Sequence, residues 1–274
     1  MEWLVLLLIG LVGGTIGSLV GLGGGIIVVP ALLFFSTYTV ILNDISPQVA
    51  VGTSLLVIVF TGLSSTLMYM KHKKVDYKSG FLFFIGSGPG GVVGAYVNSY
   101  LKVDSFSVYF GIFVILTSII LMFREKLKRK EKVNHFPFQR VYTDGEGTTY
   151  TYGFRPITAV IISFIVGFSS GLFGIGGGSL MVPAMILLFG FPAHVAVATS
   201  MFMIFLSSIL SSVTHMTMGN IDWELALFLV PGAWVGGQMG AWLNTRLKSK
   251  TVIHLFRMVL IIVGFRLIYE GLAQ

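Results

Sequence analysis

A chain of 274 residues that is 55% apolar and only 11% charged is too hydrophobic for a soluble domain, in which about a quarter of residues are charged. The absence of cysteine excludes disulfides, thiol catalysis and cysteine-ligated metal sites. A net charge of +7 would suit nucleic acid, but the basic residues crowd into a few loops, which points to membrane topology and anionic lipid headgroups instead.

Residues 3–22 form the first apolar run, close to the roughly 20 residues a helix needs to cross a bilayer. It lacks the basic start of a signal peptide, and its glycine motif recurs inside the chain, so it is expected to stay as structure. The run ends in Gly21-Leu-Gly23-Gly24-Gly25, followed by Val29-Pro30-Ala31, and a short segment over 26–38 looks thin for a span of its own. Runs at 48–70, 80–101 and 105–123 each read as a full spanning helix. A polar linker, 124–154, opens on Arg124-Glu-Lys-Leu-Lys-Arg-Lys-Glu-Lys132 and turns rich in Gly, Thr and Tyr. Runs at 156–175, 195–216, 225–243 and 251–269 complete the set, with a second short segment over 179–190.

The second group of runs repeats the first. Gly174-Ile-Gly176-Gly177-Gly178 followed by Val182-Pro183-Ala184 matches the first glycine motif at an offset of 153, with seven of eleven positions identical. At an offset of 146, Gln48-Val-Ala-Val-Gly-Thr53-Ser54 matches His194-Val-Ala-Val-Ala-Thr199-Ser200, and Val75-Asp76-Tyr77 matches Ile221-Asp222-Trp223. Gly90-Gly91-Val-Val-Gly94-Ala95-Tyr-Val-Asn98 likewise matches Gly236-Gly237-Gln-Met-Gly240-Ala241-Trp-Leu-Asn244. The expected organisation is a first transmembrane repeat at 1–123, a cytoplasmic linker at 124–154 and a second repeat at 155–274. The fold class is an all-α polytopic membrane protein, each repeat having about four long helices plus a glycine-broken short segment.

Two geometries fit the glycine break. A broken helix that continues across the membrane gives parallel repeats; a hairpin that returns to its own side gives inverted ones. The hairpin geometry places Lys71–Lys78, the linker and Arg246–Lys250 on one face, and the loop equivalent to the Lys71 cluster, Met216–Gly219, carries no lysine. Opposite charge bias in equivalent loops favours inverted repeats, with the linker cytoplasmic and both termini outside.

Glycines at membrane depth free backbone N–H and C=O groups, which survive there only when buried in protein or lining a wet cavity. The helices restarting after Gly25 and Gly178 present unpaired N–H groups and a positive dipole end, suited to an anion, and glycine permits close approach. Pro30 and Pro183 are expected near the restart, where a missing N–H costs least. The competing reading, close helix packing, is preferred for Gly10, Gly14, Gly17, Gly90, Gly94, Gly236 and Gly240. A phosphate-binding loop fails because no Lys-Ser/Thr follows the glycines.

The paired G-x-G-G-G-x4-P blocks, the V-A-V-x-T-S blocks and the eight-to-ten-segment layout resemble the sulfite exporter TauE/SafE family, over essentially the whole chain except the linker. The resemblance implies transport of small sulfur-containing anions, sulfite or organosulfonates, across the cytoplasmic membrane.

None of the eleven acidic residues lies deep in a run, which argues for an anion or a neutral solute rather than a cation. The expected substrate-binding residues are Gly23, Gly24, Gly25, Gly176, Gly177 and Gly178, with Thr53, Ser54, Thr199 and Ser200 offering hydroxyls that either reach the anion or bond their own or neighbouring helices. Gln48 and His194 occupy equivalent positions one turn earlier, and Arg257, inside the last run, either snorkels or meets an anion. Asn98 and Asn244 are read as caps or staples, and His215 as an interface residue. No catalytic residues, metal site or cofactor are expected. The expected partners are a small anionic substrate and membrane lipid, not nucleic acid; a homodimer is compatible with the sequence. A secondary transporter exporting the anion is preferred, against an anion channel, an importer of another small organic anion, or an intramembrane enzyme.

Overall fold

The computed structural model describes residues 2–38, 45–101, 106, 109–113, 137–143, 147–247, 251 and 258. The expected spans at 105–123 and 251–269, and Arg257, lie largely or wholly outside them. Helices α1 (Glu2–Val20), α2 (Gly25–Tyr38), α3 (Pro47–Lys71) and α4 (Tyr77–Asn98) make up the first half. A hairpin of β1 (Phe138–Thr143) and β2 (Thr149–Phe154) leads directly into α5 (Pro156–Phe173), α6 (Gly178–Leu187), α7 (Ala193–Thr217) and α8 (Trp223–Arg246). Five of these helices are long and apolar enough to cross a membrane; α2 and α6 are the short elements.

Local chemistry sets the helix ends. Ser46 caps α3 by accepting from the Val49 amide, with Pro47 in the first turn. Asp76 and Asp222 cap α4 and α8 by accepting from the amides of Ser79 and Leu225. The α5 helix closes on Gly174 in the left-handed conformation, φ +70°, which only glycine adopts without penalty. Pro30 and Pro183 do not sit in the first turn as expected: each lies six residues into its short helix. There each removes an i→i−4 bond, leaving the carbonyls of Ile26 and Ser179 without their helical donors.

The centre of the bundle is α3 against α7, which bury 72% of their apolar stretch, against 44% for α1 and α5 and 50% for α4. Gly62 meets Phe205, whereas Gly52 meets His215 and Asn220, so these equivalent helices run in opposite directions. Around them, each half lends its first helix to the other. Gly86, Gly90 and Gly94 of α4 meet the carbonyls of Val160, Phe164 and Phe168 on α5. Gly232, Gly236 and Gly240 of α8 meet those of Leu7, Leu11 and Thr15 on α1, the same contacts shifted by the repeat offsets. Four-residue spacing keeps the glycines on one helix face, and their lack of Cβ brings the backbones together. Packing is therefore what Gly90, Gly94, Gly236 and Gly240 do, as read from the sequence. The outer faces of α1, α4, α5 and α8 expose Leu4, Leu8, Phe81, Ile85, Ile157, Ile161, Leu227 and Val235, a surface suited to lipid.

The linker departs from the all-α expectation. Its strands pair from Phe138↔Phe154 to Thr143↔Thr149, and β2 docks by the Gly153 amide donating to the Phe189 carbonyl at 3.0 Å. Tyr152 and Phe154 are buried, and Phe154 packs among Phe83, Phe138, Phe189 and Phe191.

Candidate functional site

The two glycine segments meet at the centre of the bundle. In each, the chain leaves a long helix through left-handed glycines, Gly21, Gly23 and Gly24 (φ +84°, +87°, +100°) and Gly174, Gly176 and Gly177 (φ +70°, +87°, +74°). The short helix then turns back along the long one, since Gly13 meets Val28 and Gly17 meets Gly24. Residues Gly21–Gly25 and Gly174–Gly178 lie antiparallel: Gly25 abuts the Gly174 carbonyl, Gly178 abuts the Gly21 carbonyl, and Gly23 faces Gly176. Ile58 and Ile204 close over this crossing from α3 and α7, and all the glycines in it are buried.

The expected hydroxyl pairs are also brought here, each serving the opposite half. Ser54 Oγ donates to the Gly174 carbonyl at 3.1 Å, and Ser200 Oγ to the Gly21 carbonyl at 3.0 Å. Thr53 Oγ1 accepts from the Asp222 amide, and Thr199 Oγ1 from the Asp76 amide, both at 3.0 Å. The start of each short helix, carrying its positive dipole end, thus faces the carbonyl end of the other half's long helix. Ser54 and Ser200 thus bond the two carbonyls at the crossing, while Thr53 and Thr199 hold the amides at the starts of α8 and α4.

Gln48, His194, Asn98 and Asn244 form two outer clusters rather than joining the crossing. Asn98 Nδ2 donates to the Leu172 carbonyl at 2.8 Å and Asn244 Nδ2 to the Leu19 carbonyl at 2.7 Å, stapling the halves as expected. Gln48 Nε2 donates to the Leu101 carbonyl at 2.7 Å. His194 Nδ1 lies 3.0 Å from Asn244 Oδ1; with the amide nitrogen committed to Leu19, the imidazole must donate.

Asp76 carries a charged cluster at the start of α4. Arg140 of β1 reaches both its oxygens at 3.2 Å, Tyr152 donates to Oδ2 at 2.9 Å and Ser79 Oγ to the same oxygen at 2.7 Å. Burial alone would push this carboxyl up, but the hydrogen bonds from Ser79, Arg140 and Tyr152 outweigh it and hold it below the usual carboxylate range. Burial and the neighbouring Asp76 charge push the Tyr152 hydroxyl up. The only sequence signal for this cluster was the run of aromatic and β-branched residues after Gly147.

Comparison with known proteins gives the family. The model of the sulfite exporter TauE/SafE family matches residues 6–267. The chain is 57% identical over 272 residues to the probable membrane transporter protein YunE of Bacillus subtilis, covering 99% of both chains. It is 27% identical to the probable membrane transporter protein MJ0441 of Methanocaldococcus jannaschii (95% of this chain, 93% of that one), and 24% identical to YfcA of Escherichia coli, also a probable membrane transporter protein (98% and 91%). No solved structure matches. The chain belongs to the sulfite exporter TauE/SafE family: it is a multi-pass membrane transporter of the cell membrane and not an enzyme.

Proposed function

We propose that this TauE/SafE transporter is a secondary carrier for a small anion, a sulfur oxyanion or an organosulfonate, with export the preferred direction. The observation that carries the reading is the antiparallel crossing of Gly21–Gly25 and Gly174–Gly178 among the hydroxyls of Ser54 and Ser200. Two restarting helices offer backbone N–H groups there, and glycine leaves room for an anion once the two carbonyls withdraw. The reading takes the halves as inverted repeats at 1–123 and 155–274 joined by a cytoplasmic linker, in keeping with the opposite courses of α3 and α7 and with the hairpin turn of α2 on α1. Access then alternates as one set of elements rocks against the other, and the sealed crossing is the occluded stage of that cycle.

A thermal-shift screen of purified protein against sulfite, sulfate, thiosulfate, taurine, sulfoacetate and simple carboxylates tests the substrate class. A saturable response to a sulfur anion, abolished by Gly24→Leu or Gly177→Leu in protein that still reaches the membrane, is the expected result. A response only to carboxylates, or none altered by either substitution, overturns it.

A further inference from the structure

The two ends of the molecule are built alike and finished differently. At one, the Asp222 amide bonds Thr53 and the Asp222 carboxylate caps α8 through Leu225; among the described residues it has no cationic partner. At the other, the equivalent Asp76 amide bonds Thr199, and the linker hairpin lies over the junction. The hairpin touches both halves there, gripping Asp76 and Phe83 at the first turns of α4, and Phe189 and Phe191 between α6 and α7.

We propose that the β1–β2 hairpin is a releasable clasp over the junction of Asp76 and Thr199, with Asp76 as its catch, so that this junction parts only when Arg140 and Tyr152 let go. The inference rests on the reading of the chain as an alternating-access carrier. A carboxylate that is 3% exposed is tolerable while Arg140, Tyr152 and Ser79 surround it, and intolerable once Arg140 leaves, unless water replaces the guanidinium. The clasp therefore has two stable arrangements, paired and dry or parted and wet, with nothing favourable between.

The cysteine-free chain allows a test that needs no solute. Val197 and Val51 are equivalent at the offset of 146, both buried, one against Gly21 and one against Gly174. Single-cysteine reporters Val197→Cys and Val51→Cys are labelled with a maleimide in purified full-length protein, with and without Arg140→Gln plus Tyr152→Phe. The expected result is labelling of Val197→Cys at least tenfold faster with the catch broken, and an unchanged rate for Val51→Cys. Acceleration of both reporters would mean general loosening, and acceleration of neither would mean a passive hairpin; either overturns the clasp. A monodisperse size-exclusion profile establishes folding of each variant before labelling, and Asp76→Asn, which keeps a helix cap, provides the second variant. The anion screen fails or succeeds independently of this outcome.

Discussion

Tyr69 and His215 hold equivalent positions and perform the same task with different chemistry. Tyr69 Oη donates to the Ser18 carbonyl at 2.8 Å, and His215 Nε2 lies 3.1 Å from the carbonyl of Gly171, the residue that matches Ser18 at the offset of 153. His215 is thus a structural donor, protonated on Nε2, with Nδ1 facing Asn220 at 3.5 Å. Tyr69→Phe should lower stability by about 1 kcal/mol, the net worth of one buried hydrogen bond, and His215→Phe by more, about 2 kcal/mol, since it also strips a partner from Asn220. Thermal unfolding of the purified variants checks both; a stability unchanged by His215→Phe would refute its structural role.

Gly25→Ala and Gly178→Ala should be severe and mutually non-additive. A Cβ at either place would fall inside a carbonyl of the opposite half, a backbone group that no rotamer change can move aside. Each substitution should cost about 3 kcal/mol or more, at the upper end of the range for overpacking. Because both wedge the same crossing apart, the double variant should lose less than the sum of the singles. Thermal unfolding of the two single variants and the double gives the answer, and strict additivity would separate the two contacts.

The staples should be unequal. Asn98 spends its amide nitrogen on Leu172 while its Oδ1 has no hydrogen-bond partner among the described residues; Asn244 uses both ends, on Leu19 and His194. Asn244→Leu should therefore cost about 2 kcal/mol and Asn98→Leu about 1 kcal/mol, because only the former orphans a second side chain. Unfolding measurements on the pair decide it, and the reverse order would refute the assignment.

Docking of the linker hairpin should fade in acid. The Asp76 carboxyl is depressed in the folded protein, so the folded state binds that proton more weakly than the unfolded chain does. The stabilisation is complete above the unfolded value, about pH 4, and drains away as pH falls through the lower folded value. Hydrogen exchange of the Gly153 amide, corrected for its intrinsic rate, should show protection constant from pH 7 to about 5 and lost on further acidification; Asp76→Asn should remove the pH dependence.

Much of the frame was legible because duplication writes the same constraint twice. The glycine elbows, the paired Thr-Ser blocks and the packing ladders at Gly90/Gly94 and Gly236/Gly240 all followed from spacing. What Thr53 and Ser54 bond was not legible: their partners, Asp222 and Gly174, lie in the other half, and no local pattern says which half faces which. The prolines were expected near the helix starts, but Pro30 and Pro183 lie six residues into helices that begin at Gly25 and Gly178. The hairpin was missed because a charged linker reads as solvent-exposed, although Thr149-Tyr-Thr-Tyr-Gly-Phe154 carries the β-branched and aromatic content of a strand. Its catch, Asp76, resembled any loop carboxylate until Arg140 was brought beside it.

The exchange of first helices between the halves also bears on how such a chain arose. Among the described residues, the glycines Gly86, Gly90 and Gly94 of α4 and Gly232, Gly236 and Gly240 of α8 meet carbonyl rungs only in the opposite half. A gene encoding one half alone would yield a protein with its ladder unpaired, stable only as two copies interlocked. Fusion of two such genes would then preserve an old quaternary contact inside one polypeptide. Severing the chain within the linker and co-expressing the pieces should rebuild the interlock, whereas either piece alone should not persist.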